Sequence, residues 1–123
     1  MGIAFLTALA LLAAPEDWVR VTNTPDGLVI YVDSDSLMRD GSAVTVWERR
    51  DYAGVAMTDY QEIRVQSIYD CAARTVQVKA AVVTMRGGKP QNMSWSEQES
   101  PPEPAKPGTI SETLLEHACS AAR

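Results

Sequence analysis

The sequence predicts an α+β domain: a single antiparallel six-stranded β-sheet, run as a meander, with one C-terminal α-helix packed on one face and tethered by a disulfide. Three observations carry that expectation. From Trp18 onward, runs rich in Val, Ile, Thr and aromatic residues alternate with turn residues at close spacing, which suits hairpins rather than βαβ units. A proline-rich stretch then ends the strand pattern, and an amphipathic segment with a helix-start signature follows it. The chain holds only two cysteines, an even count in a chain that opens like an exported one.

The strands are expected at Trp18 to Thr22, Leu28 to Asp33, Ser42 to Tyr52, Tyr60 to Asp70, Arg74 to Arg86 and Gln91 to Gln98. Pro25, Asp26 and Gly27 form the first turn, Arg39, Asp40 and Gly41 precede the third strand, and Gly87, Gly88 and Lys89 close the last hairpin. Within strands the period of two sorts the faces. The fifth strand sets Val76, Val78, Ala80 and Val82 against Thr75, Gln77 and Lys79; the fourth sets Ile63 and Val65 against Glu62, Arg64 and Gln66; the sixth sets Met93 and Trp95 against Asn92, Ser94 and Ser96.

SPPEPAKPG, from Ser100 to Gly108, removes backbone donors and reads as an extended spacer. Beyond it, Thr109 with Glu112 three residues later fits a capping box. At about 100° per residue, Ile110, Leu114, Leu115, Ala118, Cys119, Ala121 and Ala122 fall on one half of the helix, and Glu112, Thr113, Glu116, His117 and Arg123 on the other. The apolar half is the natural cover for one face of the sheet.

Bulk composition bounds the function. The 123 residues make one domain by length, near the size at which a covalent staple helps. Eleven basic against sixteen acidic residues give a net charge of −5, so no nucleic-acid partner is expected. The uncharged run from Ile3 to Ala14, ending in small residues, predicts a secretory signal over 1–14 and a single domain over 15–123. That run is too short for a stable membrane span, which needs roughly 20 residues. Cleavage after Ala14 or Ala10 fits the small-residue rule, and no cysteine lies near either site for a lipid anchor. The expected location is therefore the periplasm, the cell envelope or the medium.

His117 and Cys119 lie two apart on the helix, so they diverge by about 200° and cannot share a metal or a proton. In an exported chain Cys119 pairs instead with Cys71, closing a loop of roughly 50 residues worth about 4 kcal/mol. Asp33, Asp35 and Asp40 suggest a calcium loop, but Leu37, Met38 and Val44 occupy its fifth, sixth and twelfth positions. A short helical turn capped by Asp33 or Ser34 is the plainer reading. No nucleophile elbow is present, and no cofactor or metal is expected. If Val44 and Val46 face the core, Thr45, Trp47 and Arg49 face outward beside Arg64 and Lys79, and Trp47, Arg49, Arg64 and Lys79 become the candidate binding residues.

The order of Trp18, IYVDSDSLMRDGSAVTVWERRDY, YDCAARTVQVKAAVVTMRGGK, a Pro-rich link and LLEHAC resembles the bacterial surface-adhesin protein E family across nearly the whole mature chain. Its most specific element is Asp70–Cys71 at a strand junction, matched with Cys119 in a terminal helix. The resemblance implies a six-stranded antiparallel sheet with a disulfide-tethered helix, a fold for which dimerisation is known. It also implies, for the founding adhesin, binding of host extracellular-matrix and plasma proteins. The expected function is a non-enzymatic envelope protein that recognises a protein partner through its exposed sheet face or edge. The alternatives are a structural or oligomeric periplasmic component, and a small periplasmic enzyme using His117.

Overall fold

The computed structural model describes residues 16–122; the expected signal segment, its cleavage sites and Arg123 lie outside them. The sheet is antiparallel throughout. Its main path runs β1 (Trp18–Asn23), β2 (Val29–Asp33), β4 (Ala43–Asp51), β5 (Tyr60–Asp70), β6 (Thr75–Met85) and β7 (Gln91–Ser94), which is the expected meander. Two short strands add to the six. β3 (Met38–Asp40) pairs with the start of β4, and β8 (Glu103–Pro104), inside the proline-rich segment, pairs with the start of β6. Met38–Asp40, expected to lead into a turn, thus makes a small hairpin through Gly41.

The break between β2 and β3 has a clear accounting. β2 pairs with Glu48–Asp51 and β3 with Ala43–Thr45. Between them the chain makes one 3-10 turn, Ser34–Ser36, capped by the Asp33 side chain, which accepts from the N–H groups of Asp35 and Asp17. Trp47 N–H, left without a strand partner there, donates to Ser36 Oγ at 2.9 Å. The cap expected at Asp33 or Ser34 is therefore Asp33.

The helix α1 (Ile110–Ala121) covers one sheet face. Its Leu114, Leu115 and Ala118, with Ala122, pack on Ile30, Val32, Val44, Val46 and Tyr69, and all of these are buried. Thr109 caps the helix by accepting from Glu112 N–H, while Glu112 reaches back to Gly108 N–H rather than to the cap residue's own. At the other end Arg39 donates from Nε to Ala122 O at 2.7 Å and from Nη2 to Cys119 O at 3.0 Å, a cation placed on the negative end of the helix. Cys71 and Cys119 form the disulfide, with a Cα–Cα distance of 5.9 Å.

One face assignment is corrected. β6 does not keep Val76, Val78, Ala80 and Val82 on one side. Ser67 pairs with Val78 and Gln66 with Ala80, so Lys79 is an extra, bulged residue. The bulge shifts the phase of everything after it. Val76 and Val78 stay on the helix side and are joined by Ala81 and Val83, opposite Val65 and Ile63, while Ala80 and Val82 turn to the helix-free side.

Candidate binding face

The helix-free face is built by strand register. Thr45, Trp47, Arg49 and Asp51 alternate with the buried Val44, Val46 and Glu48 along β4. Arg49 sits between Tyr31 of β2 and Arg64 of β5, and Trp47 stands opposite Gln66. Trp18 comes from β1 two positions along from Arg20, which pairs with Tyr31. Trp47 therefore lies on the helix-free face, as expected if Val44 and Val46 face the core.

On this face cations and aromatic rings stack. The Arg49 guanidinium carbon lies 4.3 Å from the Tyr31 ring centroid and 5.3 Å from that of Trp18, and Arg64 lies 5.3 Å from Trp18 on its own side. Carboxylates then fix the two arginines. Arg64 pairs with Glu62 at 2.9 Å and with Glu16 at 2.8 Å, and Arg49 lies 3.5 Å from Glu62. Half-exposed ion pairs of this kind contribute little energy, but together with the stack they hold the side chains in one arrangement. The result is a stacked, ion-paired platform rather than a set of separate solvated side chains.

Beside the platform runs a groove in two parts. Trp18, Trp47, Arg64 and Val82 line a cavity of about 230 Å³, and Trp47, Ala80, Val82, Asn92 and Met93 line another of about 300 Å³ that continues it to β7. Ala80 and Val82 reach this side only because of the bulge. Of the four residues singled out in the sequence, Trp47, Arg49 and Arg64 are brought together. Lys79 stands apart, exposed at the bulge, where its carbonyl accepts from Trp95 N–H at 2.9 Å and its ammonium makes no ion pair and stacks on no ring among the described residues.

The other side of β4 buries an acid that is not among the four expected binding residues. Glu48 is 1% exposed, accepts from Ser67 Oγ at 3.2 Å and from the Tyr69 hydroxyl, and sits among valines of the core face. Burial pushes its pKa above the usual carboxylate range, against the hydrogen bond from Tyr69 and the charge of Arg50. Burial, with the Glu48 charge, likewise raises that of Tyr69. The signal was present: Glu48 follows Val44 and Val46 in phase. His117 lies half-buried on α1, and no group of three or more potential metal ligands occurs among the described residues.

These features define a class: a single-sheet domain, one face closed by a stapled helix and the other carrying its aromatic and cationic side chains. The surface-adhesin protein E family model matches residues 18–120, and the chain belongs to that family. It is accordingly an adhesin-like surface protein in kind. Solved structures of protein E from Haemophilus influenzae share the fold. Crystal form II matches at 15% identity with a TM-score of 0.58 over 89% of this chain and 95% of that one. The selenomethionine form matches at 16% identity and 0.58 over 88% and 92%, and a structure from a non-typeable strain at 15% and 0.51 over 87% and 75%. No curated protein is a significant match. Among the described residues no helix is long and apolar enough to cross a membrane.

Proposed function

We propose that the chain is a non-enzymatic, exported binding domain that recognises a protein partner through its helix-free face, with an extracellular-matrix or envelope protein as the partner class. The stacked Trp18–Arg49–Tyr31 and Trp18–Arg64 arrangement beside the groove carries this reading. Trp, Tyr and Arg are the residues most enriched where interface energy concentrates, because they combine area with polar handles. Stacking and pairing them before binding lowers the entropic cost of association. The groove gives a partner side chain somewhere to seat beside Trp47.

The free edge of β7 favours a second mode on the same side. Gln91–Ser94 is exposed throughout and pairs only with β6 among the described residues, so an extended segment could add there as a further strand. Such an addition would lie along the groove's far end.

The test compares wild type with a Trp47→Ala, Arg64→Ala double variant for binding to immobilised extracellular-matrix protein and for recovery of partners from envelope extract. Binding that falls at least about tenfold in the variant, with its melting transition retained, supports the face. Equal binding and recovery by both removes it.

A further inference from the structure

Strand register sets three residues of the helix-free face in one row. Trp18 of β1 pairs with Asp33 of β2, and one step beyond the Val32–Glu48 pair Asp33 comes beside Trp47 of β4. All three line the cavity of about 230 Å³, together with Glu16, Arg64 and Val82. An acid thus stands between two tryptophans at the wall of the cavity.

Two groups in that row lack a partner among the described residues. Asp33 is 8% exposed, and its Oδ1 accepts the N–H groups of Asp17 and Asp35 at 3.0 and 3.1 Å. Its Oδ2 accepts from no described residue, and Asp33 makes no ion pair among them. A carboxylate oxygen taken out of water without a hydrogen bond in return loses solvation. Trp47 is the other group. Tyr31 carries the Arg49 guanidinium and Trp18 carries those of Arg49 and Arg64, whereas no described cation lies on Trp47. Arg64 lines the same cavity but does not serve Asp33, because Glu16 and Glu62 hold it at 2.8 and 2.9 Å. The one guanidinium of the cavity is therefore already matched by two carboxylates.

We propose that this cavity receives an arginine side chain of the protein partner, its guanidinium stacked on Trp47 and donating to Asp33 Oδ2. An anion would meet Asp33 and Glu16, and a neutral side chain would leave the Asp33 charge uncompensated. A guanidinium suits the site better than an ammonium, being planar for stacking and more weakly hydrated on entering a half-enclosed space. Arg49 and Arg64 already stack in this way on the same face. The net charge of −5 favours encounter with a basic segment. This inference rests on the helix-free face as the binding surface, and it names the side chain a partner presents there.

The experiment titrates the disulfide-intact protein with capped Gly-Arg-Gly, Gly-Lys-Gly and Gly-citrulline-Gly peptides, following the Trp47 indole N–H by NMR; citrulline is the uncharged isostere of arginine. The arginine peptide should bind about tenfold more tightly than the citrulline peptide and about threefold more tightly than the lysine peptide. Asp33→Asn keeps an acceptor for the two N–H groups and removes the charge, so it should weaken arginine binding about tenfold with its melting transition retained. Trp47→Leu, which leaves the Asp33 cap in place, should weaken it several-fold, read from the amide shifts of Asp33 and Val82. Equal affinity for the citrulline or lysine peptide overturns the proposal. So does the absence of shifts with the arginine peptide up to about 50 mM, or unchanged affinity in either variant. The face and the cation site fail separately. If Asp33→Asn keeps full partner binding while the Trp47→Ala, Arg64→Ala variant loses it, the face stands and the arginine site is overturned.

Discussion

Removing the staple is the most informative single perturbation of this fold. Cys71 and Cys119 are 48 residues apart in the chain, and joining them closes a loop whose entropy the unfolded chain would otherwise keep. In the chain-entropy model a loop of that size stabilises by about 4 kcal/mol. The helix it anchors buries Leu114 and Leu115 almost completely, worth about 4 kcal/mol together on transfer values, before the cost of ordering twelve helical residues is counted. The covalent and the apolar contributions to helix docking are therefore comparable. Neither is dispensable in a domain whose total stability is expected at roughly 5–15 kcal/mol.

The assay is urea unfolding of wild type, oxidised and reduced, and of a Cys71→Ser, Cys119→Ser double variant, followed by tryptophan fluorescence and by helical circular dichroism. With a slope of about 1.5 kcal/mol/M, loss of 4 kcal/mol lowers the midpoint by about 2.5 M. The two probes should stay coincident, because Arg39 still holds the helix C-terminus through Ala122 O and Cys119 O and the apolar seam is untouched. A midpoint lowered by less than about 0.5 M would refute the reasoning, by showing that the unfolded chain does not gain the freedom assigned to it. Quantitative thiol labelling of the native, unreduced exported protein would refute the pairing itself.

Three further outcomes follow from named residues. Glu48 has a folded pKa above its ordinary 4.5, so the unfolded state releases its proton first and stability falls as pH rises past 4.5 toward the folded value. In urea titrations across that range wild type should lose up to about 1.4 kcal/mol per pH unit relative to Glu48→Gln; parallel curves would contradict it. Gly27→Ala should cost about 2–3 kcal/mol, since φ there is +103° and a Cβ would collide with the Gly54 carbonyl oxygen. Gly41→Ala, at φ +63° in open space, should cost only about 1 kcal/mol; equal thermal shifts would remove the Gly54 contact from the account. Arg39→Ala should cost about 1–2 kcal/mol and fray the last helical turn, seen as faster amide exchange from Ala118 to Ala122.

Much of this architecture was legible because local signals and burial agree. Val44 and Val46 flanked by Thr45 and Trp47 state which way β4 faces, and Thr109 with Glu112 states where α1 begins. The two missed strands carry weak local signals for physical reasons. β8 includes Pro104, which lacks a donor, and survives because only two residues pair at the edge of β6. β3 is three exposed residues whose strand conformation comes from pairing with β4.

The bulge at Lys79 shows the limit most sharply. Alternation in TVQVKAAVVTM is compatible with one unbroken phase, because Ala80 and Val82 are as apolar as Ala81 and Val83. What decides between them is the partner strand. With Tyr69 and Ser67 fixed on the helix side opposite Val76 and Val78, an unbroken β6 would continue with Ala80 and Val82 over the core and leave Ala81 and Val83 outside. The extra residue exchanges the two pairs, and small Ala80 then stands beside Gln66 and Trp47. Replacing Ala80 by a larger apolar residue should therefore fill the groove beside Trp47 rather than overpack the core. An Ala80→Leu variant that keeps wild-type melting but loses partner binding would tie the bulge directly to the binding face, whereas strong destabilisation would return Ala80 to the buried side.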